Sequence, residues 1–358
     1  MKPTFTGLVA VALAVAFIVC VIDPKSFDPT LFAQPAPAEA ELEVHRRPAS
    51  VVQIDWSADG RWILALSRHN LFRAGPLAVL DLGDGFEVLL DDGEGQIGAA
   101  VLAPDGRHVL AACRDGRLLW IDIDWPARVT LAELPRPGSY VNVAVSPDGA
   151  QAAFASESVI YVGQTNGDFA PRQLDGHRDV VRQLKFSDDG RRLASAGHDG
   201  DVRIWDPDSG QCIRCLRGHP GPVTRAAFVA DGWSVLSAGL GSDGQLCLWD
   251  AERGIELWKG NWHRHPGVSA LAVAPHGRTA ASSGFDGMIV IWDLETPEQK
   301  LEIDGNLPYP RDLKFSPDGS LLASAGVDGA IYIWDVRSGT NIAIKTTAHL
   351  SRPRNGAE

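Results

Sequence analysis

Along residues 41–348, short runs of alternating apolar and polar residues end at turn-forming quartets. QLKFS (183–187) and DLKFS (312–316) are examples. A period of two reads as half-buried strand. The quartets are SADG (57–60), APDG (103–106), SPDG (146–149), SDDG (187–190), VADG (229–232), APHG (274–277) and SPDG (316–319). Their glycines are spaced by 46, 43, 41, 42, 45 and 42 residues. Pro and Asp pre-set the first half of such a turn, and Gly accepts positive φ. Beyond each quartet a second strand is expected. In the clearest copies Asp-Gly follows, then a third strand ending in Trp-Asp: LASAGHDGDVRIWD (193–206), VLSAGLGSDGQLCLWD (235–250), AASSGFDGMIVIWD (280–293) and LASAGVDGAIYIWD (322–335).

A meander of four short strands with tight turns uses about 40 residues, and one such sheet cannot cover both of its faces. Stacking on neighbours covers them, and closing the array into a ring removes the end faces. Seven copies predict seven sheets. The pattern ahead of residue 150 is weaker, and blade one carries an insertion, SRHNLFRAGP (67–76).

The N-terminus differs from this pattern. FTGLVAVALAVAFIVCVI (5–22) holds no charge, and as a helix it covers roughly 27 Å, close to a bilayer's hydrocarbon thickness. A signal-peptide core is shorter, about 7–15 residues. Residues 1–22 are therefore expected to form a hydrophobic helix acting as a transmembrane anchor or uncleaved signal. The alternative is secretion after cleavage near Ala33 or Ala38. Lys2 and the amino terminus favour the cytoplasmic side, which puts the C-terminal domain outside. Residues 23–40, rich in Pro and Ala, read as a tether, and 349–358 as a tail.

The chain has 33 basic and 45 acidic residues, a formal net charge of −12. The charges in residues 1–33 cancel, so the excess lies on the repeat domain. Nucleic-acid binding would need a local basic stripe; none is found, and such binding is not expected.

The Trp-Asp endings, the Gly-His pairs and the Ser at the centre of the second strand resemble the WD40 family, over about residues 41–348. The resemblance implies an all-β, seven-bladed propeller. It also implies a buried chain of His, Ser, Asp and Trp in each complete blade. Carried over, these are His177, Ser195, Asp199 and Trp205 in blade four, and His219, Ser237, Asp243 and Trp249 in blade five. Blade six supplies His265, Ser282, Asp286 and Trp292; blade seven supplies Ser324, Asp328 and Trp334, with Asn306 in the histidine's place. Buried polar groups of this kind are costly unless each finds a partner, so these residues read as structural. Blades one to three depart, with Ala65, Ala111 and Phe154 where Ser195 sits. In blade two Trp120 is one residue out of register, and only Asp115 survives. LEVHR (42–46) and NIAIKTTA (341–348) both remain candidates for the strand that closes the ring.

Other chemistry is thin. Cys212 and Cys215 are three apart and are expected on opposite strand faces, and no second pair accompanies them for zinc. His263 and His265 lack a local third ligand. No phosphate-binding loop and no nucleophile elbow occur. No catalytic residue, metal or cofactor is expected, and no small-molecule substrate. The rival reading is a propeller enzyme or ligand binder using the central channel. Propellers of this family bind over the face built from the loops entering the inner strands and the turns between second and third strands. In this chain that implies Arg182, His198, Phe285, Tyr309, Arg311, Tyr140 and Trp262, of residue types enriched in interface hot spots. The expected function is a membrane-tethered, extracytoplasmic scaffold for protein partners. In a variant of that reading, Gly7, Ala10 and Ala14 suit helix contacts within a membrane complex.

Overall fold

The computed structural model describes residues 49–346, apart from 69–73, 84–86, 91–95, 125–127, 134–137, 167–168, 230–231, 241–244, 262, 264–266, 297 and 305–308. The hydrophobic stretch 5–22, the tether, the tail and LEVHR lie outside the described residues. Among the described residues, no helix is long and apolar enough to cross a membrane.

Among the described residues, twenty-eight strands form seven antiparallel four-stranded sheets, each continuous in sequence. The inner strands are Ser50–Trp56, Ile97–Leu102, Val141–Val145, Val181–Phe186, Val223–Phe228, Val268–Val273 and Pro310–Phe315. Each lies beside the next, and the last lies beside the first, so the sheets are the blades of a closed propeller.

Alternation decides which side chains fill the gaps between blades. Ala194, Val202 and Ile204 of blade four meet Ala226, Phe228 and Val235 of blade five in one buried cluster. Inner strands have an unpaired edge, and their polar side chains satisfy the neighbour's backbone. Gln53 Oε1 accepts from Ala100 N (3.2 Å), Asn142 Oδ1 from Leu184 N (2.9 Å) and Gln183 Oε1 from Ala226 N (2.8 Å).

The C-terminal strand Asn341–Thr346 pairs with Ala330–Asp335 and completes blade seven. The seam with blade one is therefore a blade-to-blade contact like the others. Ile54 N donates to Asp312 Oδ2 (3.0 Å) and Trp56 Nε1 to Lys314 O (3.1 Å). Val51, Ile54 and Ala65 pack there on Ala323, Ala325 and Ile331.

The turn quartets close on themselves. Ser316 Oγ donates to Asp318 Oδ1 (2.6 Å), which also accepts from Ser320 N. These bonds hold the Asp318 carboxyl down at about 2, and Gly319 takes φ +71°.

Two local expectations change. In blade one the insertion partly extends the third strand, which begins at Ala74. In blade four a bulge in the outer strand places Cys212 opposite Trp205 and Cys215 opposite Arg203, on one face instead of two. Strict alternation fails there because one extra residue enters the ladder. Both thiols are free.

Candidate interaction site

Blade four shows what the recurring polar residues do. Trp205 Nε1 donates to Ser195 Oγ (2.8 Å), Ser195 Oγ lies 2.7 Å from His177 Nε2, and His177 Nδ1 lies 3.0 Å from Asp199 Oδ1. The indole N–H takes up a lone pair on Ser195, so the hydroxyl proton points at Nε2 and the Nδ1 proton at the carboxylate. Burial would raise the Asp199 pKa. Hydrogen bonds from His177 and Arg178 N outweigh it and bring the pKa down to about 2. The chain leaves no room beside it, since a Cβ on Gly197 would come within 2.4 Å of His177 Nδ1.

Ser, His and Asp at these distances are also the arrangement of an acyl-transfer nucleophile. Here Ser195 is 0% exposed and its oxygen already accepts from Trp205, so no carbonyl carbon can reach it. Blade five repeats the chain with Trp249, Ser237 and His219 (2.7 and 2.7 Å); Asp243 lies outside the described residues. Blade seven keeps Trp334 on Ser324 (2.8 Å), but Asp328 Oδ2 accepts from Tyr332 OH (2.7 Å). Its Asn306 is outside the described residues.

Blade six corrects the sequence reading. His263 fills the position expected for His265, with Nε2 2.8 Å from Ser282 Oγ and Nδ1 3.2 Å from Asp286 Oδ1. Trp292 Nε1 donates to the same serine (2.8 Å). His177 and His219 precede their serines by 18 residues, and His263 precedes Ser282 by 19. His265 would precede it by 17, so spacing left the two equally displaced. His265 itself is outside the described residues.

The described residues among those expected to bind gather at the end of the channel where the inner strands begin. Register shifts between Val181 and Gln183, and between Pro310 and Asp312, make Arg182 and Arg311 bulge residues. A bulge re-aims its side chain. The Arg182 guanidinium sits over the Tyr140 ring, 5.1 Å from its centroid. Tyr140 is fixed by Glu157, whose Oε1 accepts from Ser139 N and Tyr140 N (2.7 and 3.2 Å) while Glu157 itself takes φ +53°. Phe285 meets Tyr309 edge-on at 6.0 Å. Tyr309 also holds a positive φ, +52°, a conformation that costs about 1–3 kcal/mol in a non-glycine residue and clusters at functional sites. Burial, with the Arg182 charge, lowers the His198 pKa. Trp262 lies outside the described residues.

Three further arginines stand in this group. Burial, then the charges of Arg114, Arg182 and Arg311, brings Arg68 down to about 10. Burial, then Arg225, brings Arg182 to about 10 as well, with Arg311 adding to the effect. Arg68, Arg114 and Arg225 were not singled out from the sequence. One arginine per blade, tens of residues apart, makes no stripe along the sequence, so the cluster forms only when the blades come together. Among the described residues, no group of three or more His, Cys, Asp or Glu could hold a metal ion.

Comparison with known proteins agrees with the architecture. The model of the WD domain, G-beta repeat, matches residues 170–206, 210–250, 258–293 and 299–335. These segments fall on blades four to seven. This protein is a WD40-repeat β-propeller. The chain is 30% identical over 149 residues to an uncharacterized WD repeat-containing protein of Synechocystis, covering 41% of this chain and 42% of that protein. It is 26% identical over 259 residues to the SIR4-interacting protein SIF2 of Saccharomyces cerevisiae, covering 72% and 41%. To the nuclear distribution protein PAC1 of Arthroderma benhamiae it is 31% identical over 155 residues, covering 40% and 33%. The chain thus spans less than half the length of these relatives. Apart from the outer strand of blade three, Arg172–Leu174, blades one to three of this WD40 propeller lie outside the family-model match, and they are the blades that lack the Trp–Ser pair.

Proposed function

We propose that this WD40 propeller is a scaffold for protein partners, that it engages them through the channel mouth, and that residues 5–22 hold it on the outer side of a membrane. One observation carries the reading. Aromatic and arginine side chains converge on one open face, while the Asp–His–Ser sets that could suggest catalysis are sealed by tryptophan. Tyr140 and Tyr309 are 44% and 55% exposed there, although amphipathic aromatics normally bury most of their area. The name of one relative, a SIR4-interacting protein, agrees with a protein-binding role. The anchoring part rests on the uncharged length of 5–22 and the charges beside it.

The test is isolation of the full chain from gently solubilised membranes, with identification of what accompanies it. Partners that stay with the wild type and leave on Tyr140→Ala/Tyr309→Ala substitution support the reading. A chain that comes away without partners, or that fractionates with soluble cytoplasmic protein, overturns the corresponding part.

A further inference from the structure

This protein has more acidic than basic groups, and many of its arginines are matched: Arg61 with Asp81 (2.6 Å), Arg117 with Asp115 (2.7 Å) and Arg203 with Asp201 (3.1 Å). Arg68, Arg182, Arg225 and Arg311 at the channel mouth make no ion pair among the described residues. Arg68 Nη2 donates to Gly98 O (2.7 Å), and Arg225 Nη1 and Nη2 donate to Thr224 O and Arg311 O (3.0 and 2.8 Å). Carbonyls carry no neutralising charge. The Nε atoms of Arg68 and Arg182 are buried and have no hydrogen-bond partner. Burial depresses all four guanidinium pKa values, and the charge of a neighbouring arginine adds to it at Arg68, Arg182 and Arg311; among the described residues the one carboxylate that offsets this is Asp312, at Arg225. Like charges held together and partly out of water destabilise a fold unless something else requires them.

We infer that the channel mouth is an oxyanion-recognition site, and that its ligand is a segment of a partner protein carrying adjacent carboxylates beside an apolar or aromatic side chain. The inference rests on the reading of this face as the interaction surface. Guanidinium forks match carboxylates in pairs and leave donors unused without them. The Phe285–Tyr309 pair beside the arginines, half-buried at Phe285 and exposed at Tyr309, offers the apolar contact. Arg182 is half-buried on its inner strand while Arg311 is exposed beside it, so a narrow extended segment can reach both, whereas a flat charged surface such as a bilayer or duplex meets mainly the exposed one. A long polyanion would also meet the overall charge of −12. A short acidic segment meets mainly the local field, since screening removes effects beyond about 8 Å at physiological salt.

The probe is a fluorescein-labelled hexaglutamate peptide ending in phenylalanine, with its hexaglutamine counterpart as control. Titrated into the full chain, the acidic peptide is expected to bind and its counterpart not to. Arg182→Gln/Arg311→Gln should weaken binding at least about tenfold, and Arg191→Gln/Arg253→Gln, in turns at the opposite end of the blades, should leave it unchanged. The unfolding temperature of Arg182→Gln/Arg311→Gln should equal or exceed that of the wild type, because repulsion is relieved; this separates lost recognition from lost folding. Equal binding by the wild type and that variant overturns the inference, as does full displacement by equimolar inorganic phosphate, which would make the ligand a free anion. Native partners that accompany both forms equally overturn it while leaving the scaffold reading intact. Peptide binding without any native partner does the reverse.

Discussion

Blades four and six hold their strands with a tryptophan, a serine, a histidine and an aspartate in one hydrogen-bonded chain. Blades one to three build the same sheet from apolar atoms. The serine position is occupied by Ala65, Ala111 and Phe154, each 0% exposed. The tryptophan position, opposite the residue two before it, holds Leu80, Ile121 and Gly163. In blade three the exchange moves the aromatic ring from the third strand to the second. Phe154 fills what serine would leave, and Gly163 gives up what tryptophan would need, with the Phe169 ring 2.9 Å from where a Cβ would stand. Satisfied polar networks and tight apolar packing therefore serve the same architecture. They differ in how they fail, because the network carries partners that cannot be left alone.

Removing an indole separates the two halves most. Trp205→Ala should cost about 3–5 kcal/mol in denaturant unfolding. Trp120→Ala in blade two, where the ring is partly exposed and stacks on His108 at 5.3 Å, should cost well under half as much. Serine comes next. Ser195→Ala strands the Trp205 N–H and His177 Nε2 and should cost about 1–3 kcal/mol. Ala111→Ser should also destabilise blade two, by burying a hydroxyl without a partner. A stable Ala111→Ser variant would show that blade two already offers acceptors.

Acid should act on the polar blades first. Burial and the Lys259 charge hold His219 at about 4, below its ordinary 6.5. The folded state thus binds fewer protons than the unfolded one, and that stability is full above 6.5 and is lost as pH falls toward 4. Asp199, at about 2 against 3.8, has the same sign: its contribution is present above 3.8 and is lost as pH falls through 2. Hydrogen exchange followed blade by blade should show blades four and five opening before blades one to three as the pH is lowered. Simultaneous opening would mean that the propeller responds as one unit. The smallest effect belongs to Asp115, which binds Arg117 N and its guanidinium at the surface instead of a histidine. Asp115→Asn should change the unfolding free energy by at most about 1 kcal/mol, less than Asp199→Asn.

Much of the fold could be read from the chain. The quartets, their spacing and the Trp-Asp endings are local signals, each decided within one or two turns by the dihedral needs of Gly and Pro and by period-two burial. They set the strand boundaries and the number of blades, and the resemblance to WD40 repeats supplied the Trp–Ser pairs of blades four to seven. His263 did not follow, because the loop that delivers it differs in length from its counterparts and two histidines lay equally far from the expected spacing. The facing of Cys212 and Cys215 was misjudged for a similar reason, since a bulge is one residue of irregularity inside a regular pattern.

The channel mouth belongs to the tertiary structure. Arg68, Arg182, Arg225 and Arg311 are separated by 40 residues or more and carry no motif, and in a linear scan they are diluted by the excess of acid. Ring closure brings the inner strands of blades one and seven together, and bulges at the strand starts re-aim Arg182 and Arg311. Repeats along a sequence fix what each blade is, because that depends on neighbours within a few positions. Which side chains meet at the axis depends on closing the circle, and no single repeat contains that information.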